Sequence, residues 1–141
     1  MKTTTETTVT AANKRGFGFV GIFAIVCGAH FINHFQSAML GVIYPFMMKD
    51  LGLSFLAIAS IAATYGMASN VFQGFYGFIV PYFKRGVILG AGNCLLGLSV
   101  VASGFASGYP QFLASRVVGG VASSPQHPVG SSMLASHFGG A

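Results

Sequence analysis

Residues 17–48 read FGFVGIFAIVCGAHFINHFQSAMLGVIYPFMM, a run without a single Asp, Glu, Lys or Arg. A helix needs roughly 20 apolar residues, at ~1.5 Å each, to cross the ~30 Å hydrocarbon core of a bilayer, so this stretch can span it with tilt to spare. Three further apolar runs follow, over about 55–82, 87–107 and 110–137. The links between them, Lys49–Ser54, Phe83–Gly86 and Gly108–Tyr109, are short enough to force antiparallel neighbours. The expected fold is all-α and polytopic, with four transmembrane helices over 17–141. The threonine-rich residues 1–16 are expected to form a disordered cytoplasmic tail.

Composition supports the same conclusion. The chain is 53% hydrophobic and 6% charged, whereas a soluble domain devotes roughly a quarter of its residues to Asp, Glu, Lys and Arg. So little charge cannot cover a globule in water, and lipid is the expected surrounding. The net charge of +5 does not mark a nucleic-acid surface, because the basic residues form no stripe with interleaved aromatics. Lys2, Lys14 and Arg15 precede the first run, Lys84 and Arg85 join the second to the third, and only Lys49, beside Asp50, lies in the first link. The positive-inside rule then places both chain ends in the cytoplasm, and the expected location is the cytoplasmic (inner) membrane. The first run is too long for a signal peptide and lacks a small-residue cleavage site.

Cys27 and Cys94 fall inside apolar runs, without CxxC spacing, and are expected as free thiols. No cofactor and no metal site is expected, and no arrangement of nucleophile, base and acid points to an enzyme.

Polar residues within the runs are periodic. Cys27, His30, His34, Ser37, Gly41 and Tyr44 recur at spacings of three and four on the first helix. Gly66, Asn70, Gln73 and Gly77 do so on the second, and Arg116, Gly120, Ser123, His127 and Gly130 on the fourth. Each stripe should turn away from lipid. Gly66, Gly77, Gly90, Gly97 and Gly120 are read chiefly as close-packing positions, and the third helix, with Gly90, Asn93 and Gly97, as a packing or peripheral one. Arg116 sits about six residues inside its run, ~9 Å along the axis. At that depth an arginine faces a cavity or a partner, or else snorkels to the interface. His30, His34 and His127 lie near mid-helix, where imidazole carries a proton, hydrogen-bonds an anion, or serves as an interhelical donor. Pro125 and Pro128 predict a kink beside His127.

Residues 29–54, AHFINHFQSAMLGVIYPFMMKDLGLS, are similar to the pattern Gly-His-Phe-x-Asn-Asp, then Pro, then Leu-Gly-Leu-Ser, found in fosmidomycin-resistance-like drug exporters of the major facilitator superfamily. His30, Asn33, Pro45 and Leu51–Ser54 match, and His34 replaces the acidic residue. Gly77, Lys84 and Arg85 resemble the superfamily's loop motif, with Pro81 where it has Asp. Arg116 and Gly120 resemble its Arg-x-x-x-Gly, and His127, Pro128 and Gly130 the group's His-Pro-x-Gly.

The resemblance implies the first part of a twelve-helix fold of two six-helix halves, with the small-molecule substrate held between them. It implies a secondary transporter for proton-coupled export, an antiporter for drug efflux. It also implies a cavity lined by His30, Asn33, His34, Arg116 and His127, and a conformational loop at Gly77, Lys84 and Arg85. The expected partners are the lipid bilayer, a small molecule, protons and the missing remainder of the transporter, without which the chain is expected to be inactive. Two other readings stand beside this one. A complete four-helix small multidrug exporter would depend on an acidic residue in its first helix, and the acids here are Glu6 and Asp50. A haem-binding electron-transfer protein would use the paired histidines as ligands.

Overall fold

The computed structural model describes residues 3–138, with side chains for residue 18 and residues 20–136. Among these are five α-helices: α1 (Thr3–Leu51), α2 (Phe55–Ile79, extended by a 3-10 turn over Val80–Tyr82), α3 (Arg85–Gly104), α4 (Tyr109–Ser123) and α5 (Gln126–Phe138). The backbone of residues 3–16, expected to be a disordered tail, continues α1 as helix. Extending an existing helix adds a hydrogen bond per residue without a new nucleation step. Met1, Lys2 and the side chains of residues 3–16 lie outside the described residues.

The first reversal shows how sequence makes a corner. Gly52 takes φ 61°, the left-handed conformation that ends α1 at no steric cost. The Leu53 amide returns 2.9 Å to the Met48 carbonyl, meeting one of the helix's orphan acceptors. Ser54 then caps α2, its hydroxyl accepting from the Ala57 amide at 3.2 Å. At the third link Gln111 Oε1 accepts from both the amide and the hydroxyl of Ser107, each at 2.6 Å, and Pro110 enters α4 in its first turn, where a missing N–H costs nothing.

Two apolar clusters define the ends of the bundle. Ile58, Ile61 and Phe112 pack with Tyr44, Met47, Leu51, Ala106 and Tyr109, which gathers the end of α1, the start of α2, the end of α3 and the start of α4. Ile88, Leu89 and Val129 pack with Tyr76, Val80 and Met133, joining the end of α2 and the start of α3 to α5. This up-and-down arrangement is the one the short links require. α4 is the central element, packed along both α2 and α3, while α1 lies mainly against α3 and α5.

The segment expected to kink over 110–137 is broken into α4 and α5. Pro125 has no N–H to give, so the Val121 carbonyl accepts instead from the Ser124 amide at 3.4 Å and from the Ser124 hydroxyl at 2.6 Å. Pro128 falls in the first turn of α5, where helices tolerate proline.

α2 with its 3-10 turn (Phe55–Tyr82) and α3 (Arg85–Gly104) are long and apolar enough to cross a membrane, and most of that surface is unburied. Leu56 and Phe78 are each 78% exposed, and Met67, Phe75, Leu98 and Val101 are exposed too. The core helix of a soluble protein buries such residues. Lipid makes the observed pattern inexpensive.

Glycines sort by what surrounds them. A Cβ on Gly120 would stand 2.5 Å from the Tyr65 carbonyl oxygen and 2.9 Å from Ala68 Cβ, so only glycine lets α2 and α4 approach this closely. Gly92, unmarked in the sequence analysis, does the same against the Ala122 carbonyl at 2.8 Å, and Gly119, also unmarked, leaves room for the Ser99 hydroxyl, 2.7 Å from where its Cβ would stand. Gly66, Gly77 and Gly90 have nothing within 4 Å, so the close-packing expectation is corrected there: these faces are open among the described residues. Gly120→Ala is expected to cost about 1–3 kcal/mol through overpacking and to lower the unfolding midpoint of the purified protein in detergent. Gly66→Ala is expected to leave that midpoint unchanged.

Candidate functional site

The sequence-predicted site residues fall into three groups at different places in the bundle. The first is a histidine cluster. His30 and His34 are one turn apart on α1, with ring centroids 4.4 Å apart. The break between α4 and α5 turns His127 toward them, at 5.2 Å from His30 and 6.1 Å from His34. All three pairs meet edge-on. They line an open cavity of about 540 Å³ together with Cys27, Gln126 and Ser131. A second cavity of similar size opens on the other side of His127, lined by Asn70, Gln73, Gly74, Pro128 and Ser131. The polar stripe of α2 therefore reaches the same histidine from the opposite flank. Gln126, 4% exposed, leaves its side-chain Nε2 without an acceptor.

The second group surrounds Arg116. Its side chain is fully buried, at 0% exposure, within α4. Nη2 donates to Ser99 Oγ on α3 at 3.1 Å, and the guanidinium carbon stands 6.0 Å from the centroid of the Tyr65 ring on α2. Nε and Nη1 have no acceptor. Ser103 and Ser115 bond to each other at 2.8 Å and extend the polar seam between α3 and α4. Arg116 is enclosed between helices and its side chain does not reach the surface of the described bundle. A buried guanidinium with no opposite charge beside it among the described residues costs several kcal/mol. Eleven residues separate Arg116 from His127, ~16 Å along the segment at ~1.5 Å per residue. The sequence placed them in one site, and the bundle places them at two levels.

Asn33 forms the third group and faces α3, not the histidine cavity. Its Nδ2 donates to Asn93 Oδ1 at 3.4 Å, and Asn93 Nδ2 donates to the Ala29 carbonyl at 3.3 Å. One turn down the stripe, Ser37 and the Tyr65 hydroxyl are 2.6 Å apart. Asn33 is thus a tie between helices. Asn93 makes α3 a polar partner of α1 as well as an apolar packing element.

The loop residues also divide. Arg85 Nη1 donates to the Ser132 carbonyl of α5 at 3.0 Å, linking the second-to-third reversal to the broken segment. Lys84 is exposed at the start of α3, and Gly77 is exposed on α2. Sequence reasoning missed Ser99, Tyr65 and Gln126. Ser99 and Tyr65 are ordinary residues of apolar helices, and only their contact with Arg116 reveals them. Gln126 had a signal, a polar side chain between two prolines.

Among known proteins, the chain is 24% identical over 131 residues to the fosmidomycin resistance protein of Escherichia coli (strain K12). That match takes in 93% of this chain but 32% of the relative, so the chain spans about a third of that protein's length. No solved structure matches the chain. The Major Facilitator Superfamily model matches residues 26–141, from the start of the histidine stripe to the last residue, and the chain belongs to that superfamily.

Proposed function

We propose that this chain forms four membrane crossings of a proton-coupled secondary transporter whose solute is a small anion. Superfamily membership makes it a membrane transport protein and not an enzyme, and implies a small-molecule substrate. It also sets aside the small multidrug and haem readings. Arg116 carries the assignment of an anionic solute: it is a fully buried guanidinium with two unmet donors. The counter-charge comes from the solute, and the transport cycle exposes Arg116 to it. In the complete carrier the first helices face a second half, and substrate binds between the two. His30, His34 and His127 serve as the proton-carrying groups in place of a carboxylate, and Asn33 positions α1. Lys84 and Arg85 lie with the N-terminus on the cytoplasmic side of the inner membrane, and the Arg85 link to α5 latches one conformation.

Export by exchange is a second reading, favoured by the similarity to a resistance protein. Both readings are tested in proteoliposomes loaded with a pH-sensitive dye, with the protein as its gene encodes it and fosmidomycin or simple organic anions offered as solute. Solute-dependent proton movement is expected for the wild type. Its absence for every anion, alongside uptake of cationic or neutral solutes, overturns the anion reading.

Arg116→Gln is expected to lower solute-dependent flux at least ~100-fold, since removing a buried charge partner costs roughly 3 kcal/mol or more. Arg116→Lys, which keeps the charge but loses the planar fork, should retain a fraction of that flux. Equal flux in Arg116→Gln and wild type would remove Arg116 from the site. Asn93→Leu, in contrast, is expected to lower stability by about 1–3 kcal/mol, the cost of leaving the buried Asn33 side chain without its partner, as read by unfolding in detergent.

A further inference from the structure

We infer that Tyr65 is a positioning residue for Arg116: its hydroxyl, bonded to Ser37 of α1, holds its ring beside the guanidinium, so that α1 sets how Arg116 meets the solute. The inference rests on the reading of Arg116 as the partner of an anionic solute.

Tyr65 stands where three helices come together. Its backbone on α2 is fixed against α4, because the Tyr65 carbonyl oxygen lies 2.5 Å from where a Cβ on Gly120 would stand. Gly120 and Arg116 are one turn apart on α4 and share a face. The guanidinium carbon of Arg116 is 6.0 Å from the centroid of the Tyr65 ring. That is the outer reach of cation–π attraction, where a small swing of the ring decides whether the contact is kept. The swing is governed from α1. Tyr65 Oη and Ser37 Oγ are 2.6 Å apart. Ser37 gives its own hydrogen to the Asn33 carbonyl one turn back, at 2.9 Å, and a hydroxyl has one hydrogen to give. Tyr65 is therefore the donor of the pair.

The two sides of the guanidinium are held differently. On the α3 side Nη2 donates to Ser99 Oγ at 3.1 Å, and Ser99 donates to the Leu96 carbonyl of its own helix at 2.7 Å. That side answers to α3 alone. On the α2 side the ring is restrained through α1, a helix that packs mainly against α3 and α5. A shift of α1 along α2 breaks the bond to Ser37 and frees the Tyr65 ring. The α2 side of Arg116, whose Nε and Nη1 have no acceptor, is then loosened. Ser37 lies one turn from His34 on α1. The histidine group and Arg116, at two levels of the bundle, are thus joined by a short chain of contacts.

A matched pair in the same bundle serves as the control. Tyr109 Oη and Ser60 Oγ are 3.0 Å apart, and Ser60 donates to the Ala57 carbonyl at 2.8 Å. The chemistry is that of Tyr65 with Ser37, but Tyr109 lies two turns of α4 from Arg116, ~10 Å along the axis. Tyr109→Phe removes a bond of the same kind between helices at a distance from the guanidinium.

The test follows solute-dependent proton flux in proteoliposomes, with fosmidomycin as the probe and methanesulfonate as a second, and reads KM and maximal rate separately. Tyr65→Phe is expected to raise KM about two- to tenfold, the effect of losing one hydrogen bond, and to leave the maximal rate largely unchanged. Ser37→Ala should give the same rise, and the double variant no more than either alone, since both remove one bond. In the Arg116→Lys background Tyr65→Phe should add nothing further. Tyr109→Phe should lower the unfolding midpoint in detergent as Tyr65→Phe does, and leave KM as it is. A wild-type KM in Tyr65→Phe, with flux lost in Arg116→Gln, overturns the inference and leaves the anionic solute standing. An equal rise of KM in Tyr109→Phe overturns it too, because the effect is then a general loosening of the bundle. Effects of Tyr65→Phe and Arg116→Lys that multiply show that Tyr65 does not act through Arg116, with the same consequence. Flux in Arg116→Gln equal to wild type, or no flux with either probe, removes the anionic reading and the inference with it.

Discussion

The bundle is organised around the burial of one guanidinium. Arg116 is fully enclosed in the seam where α4 meets α2 and α3. Lipid offers no solvation for a charge or for stray backbone groups, so every helix around it must supply contacts. Gly119 and Gly120 make that possible by facing different neighbours. Adjacent residues on a helix point about 100° apart, so Gly119 admits Ser99 of α3 while Gly120 admits the α2 backbone at Tyr65 and Ala68. A side chain at Gly120 would push α2 away and open the seam, and one at Gly119 would displace the Ser99 hydroxyl that accepts from Arg116. The dyad Gly119–Gly120 is therefore as much part of the arginine site as Ser99, which accepts its hydrogen bond.

The same seam fixes where the histidines can meet. With α4 held by its glycines, Pro125 ends the helix and α5 sets off on a new path. That change of direction brings His127 over α1 instead of continuing the buried face of Arg116, and it separates the two basic groups. Apolar clusters close the two ends of the bundle, and polar ties between helices lie between them. A bundle in lipid gains nothing from burying apolar surface as such. Tight packing and internal hydrogen bonds hold it, which is why small and polar residues line the seams between helices while many large apolar ones face outward.

Much of this was legible in the sequence. Uncharged runs of spanning length, short links and prolines beside His127 gave the helices and their breaks; the turn at Gly52 and the cap at Ser54 came from the structure. The resemblance gave the family, and the place of Arg116 inside an apolar run singled it out as a residue to turn away from lipid. The glycines read less well: Gly120 proved to be a contact, while Gly66, Gly77 and Gly90 face open space and Gly92 and Gly119 went unmarked. A glycine has no side chain to signal its surroundings, so periodicity identifies its face and not what stands opposite.

What the sequence determined by itself was a property of each segment alone: its length, polarity and periodicity fix whether it crosses lipid and which face turns inward. Which residues meet across helices was decided by tertiary structure. His30, His34 and His127 converge, Asn33 turns to Asn93, and Arg116 stands apart with Ser99 and Tyr65. These outcomes depend on the depth at which helices slide against one another and on the angle at which α5 leaves α4. Both are set by close contacts at Gly92, Gly119, Gly120 and Pro125, between residues distant in the chain, where local sequence carries no record of its partner.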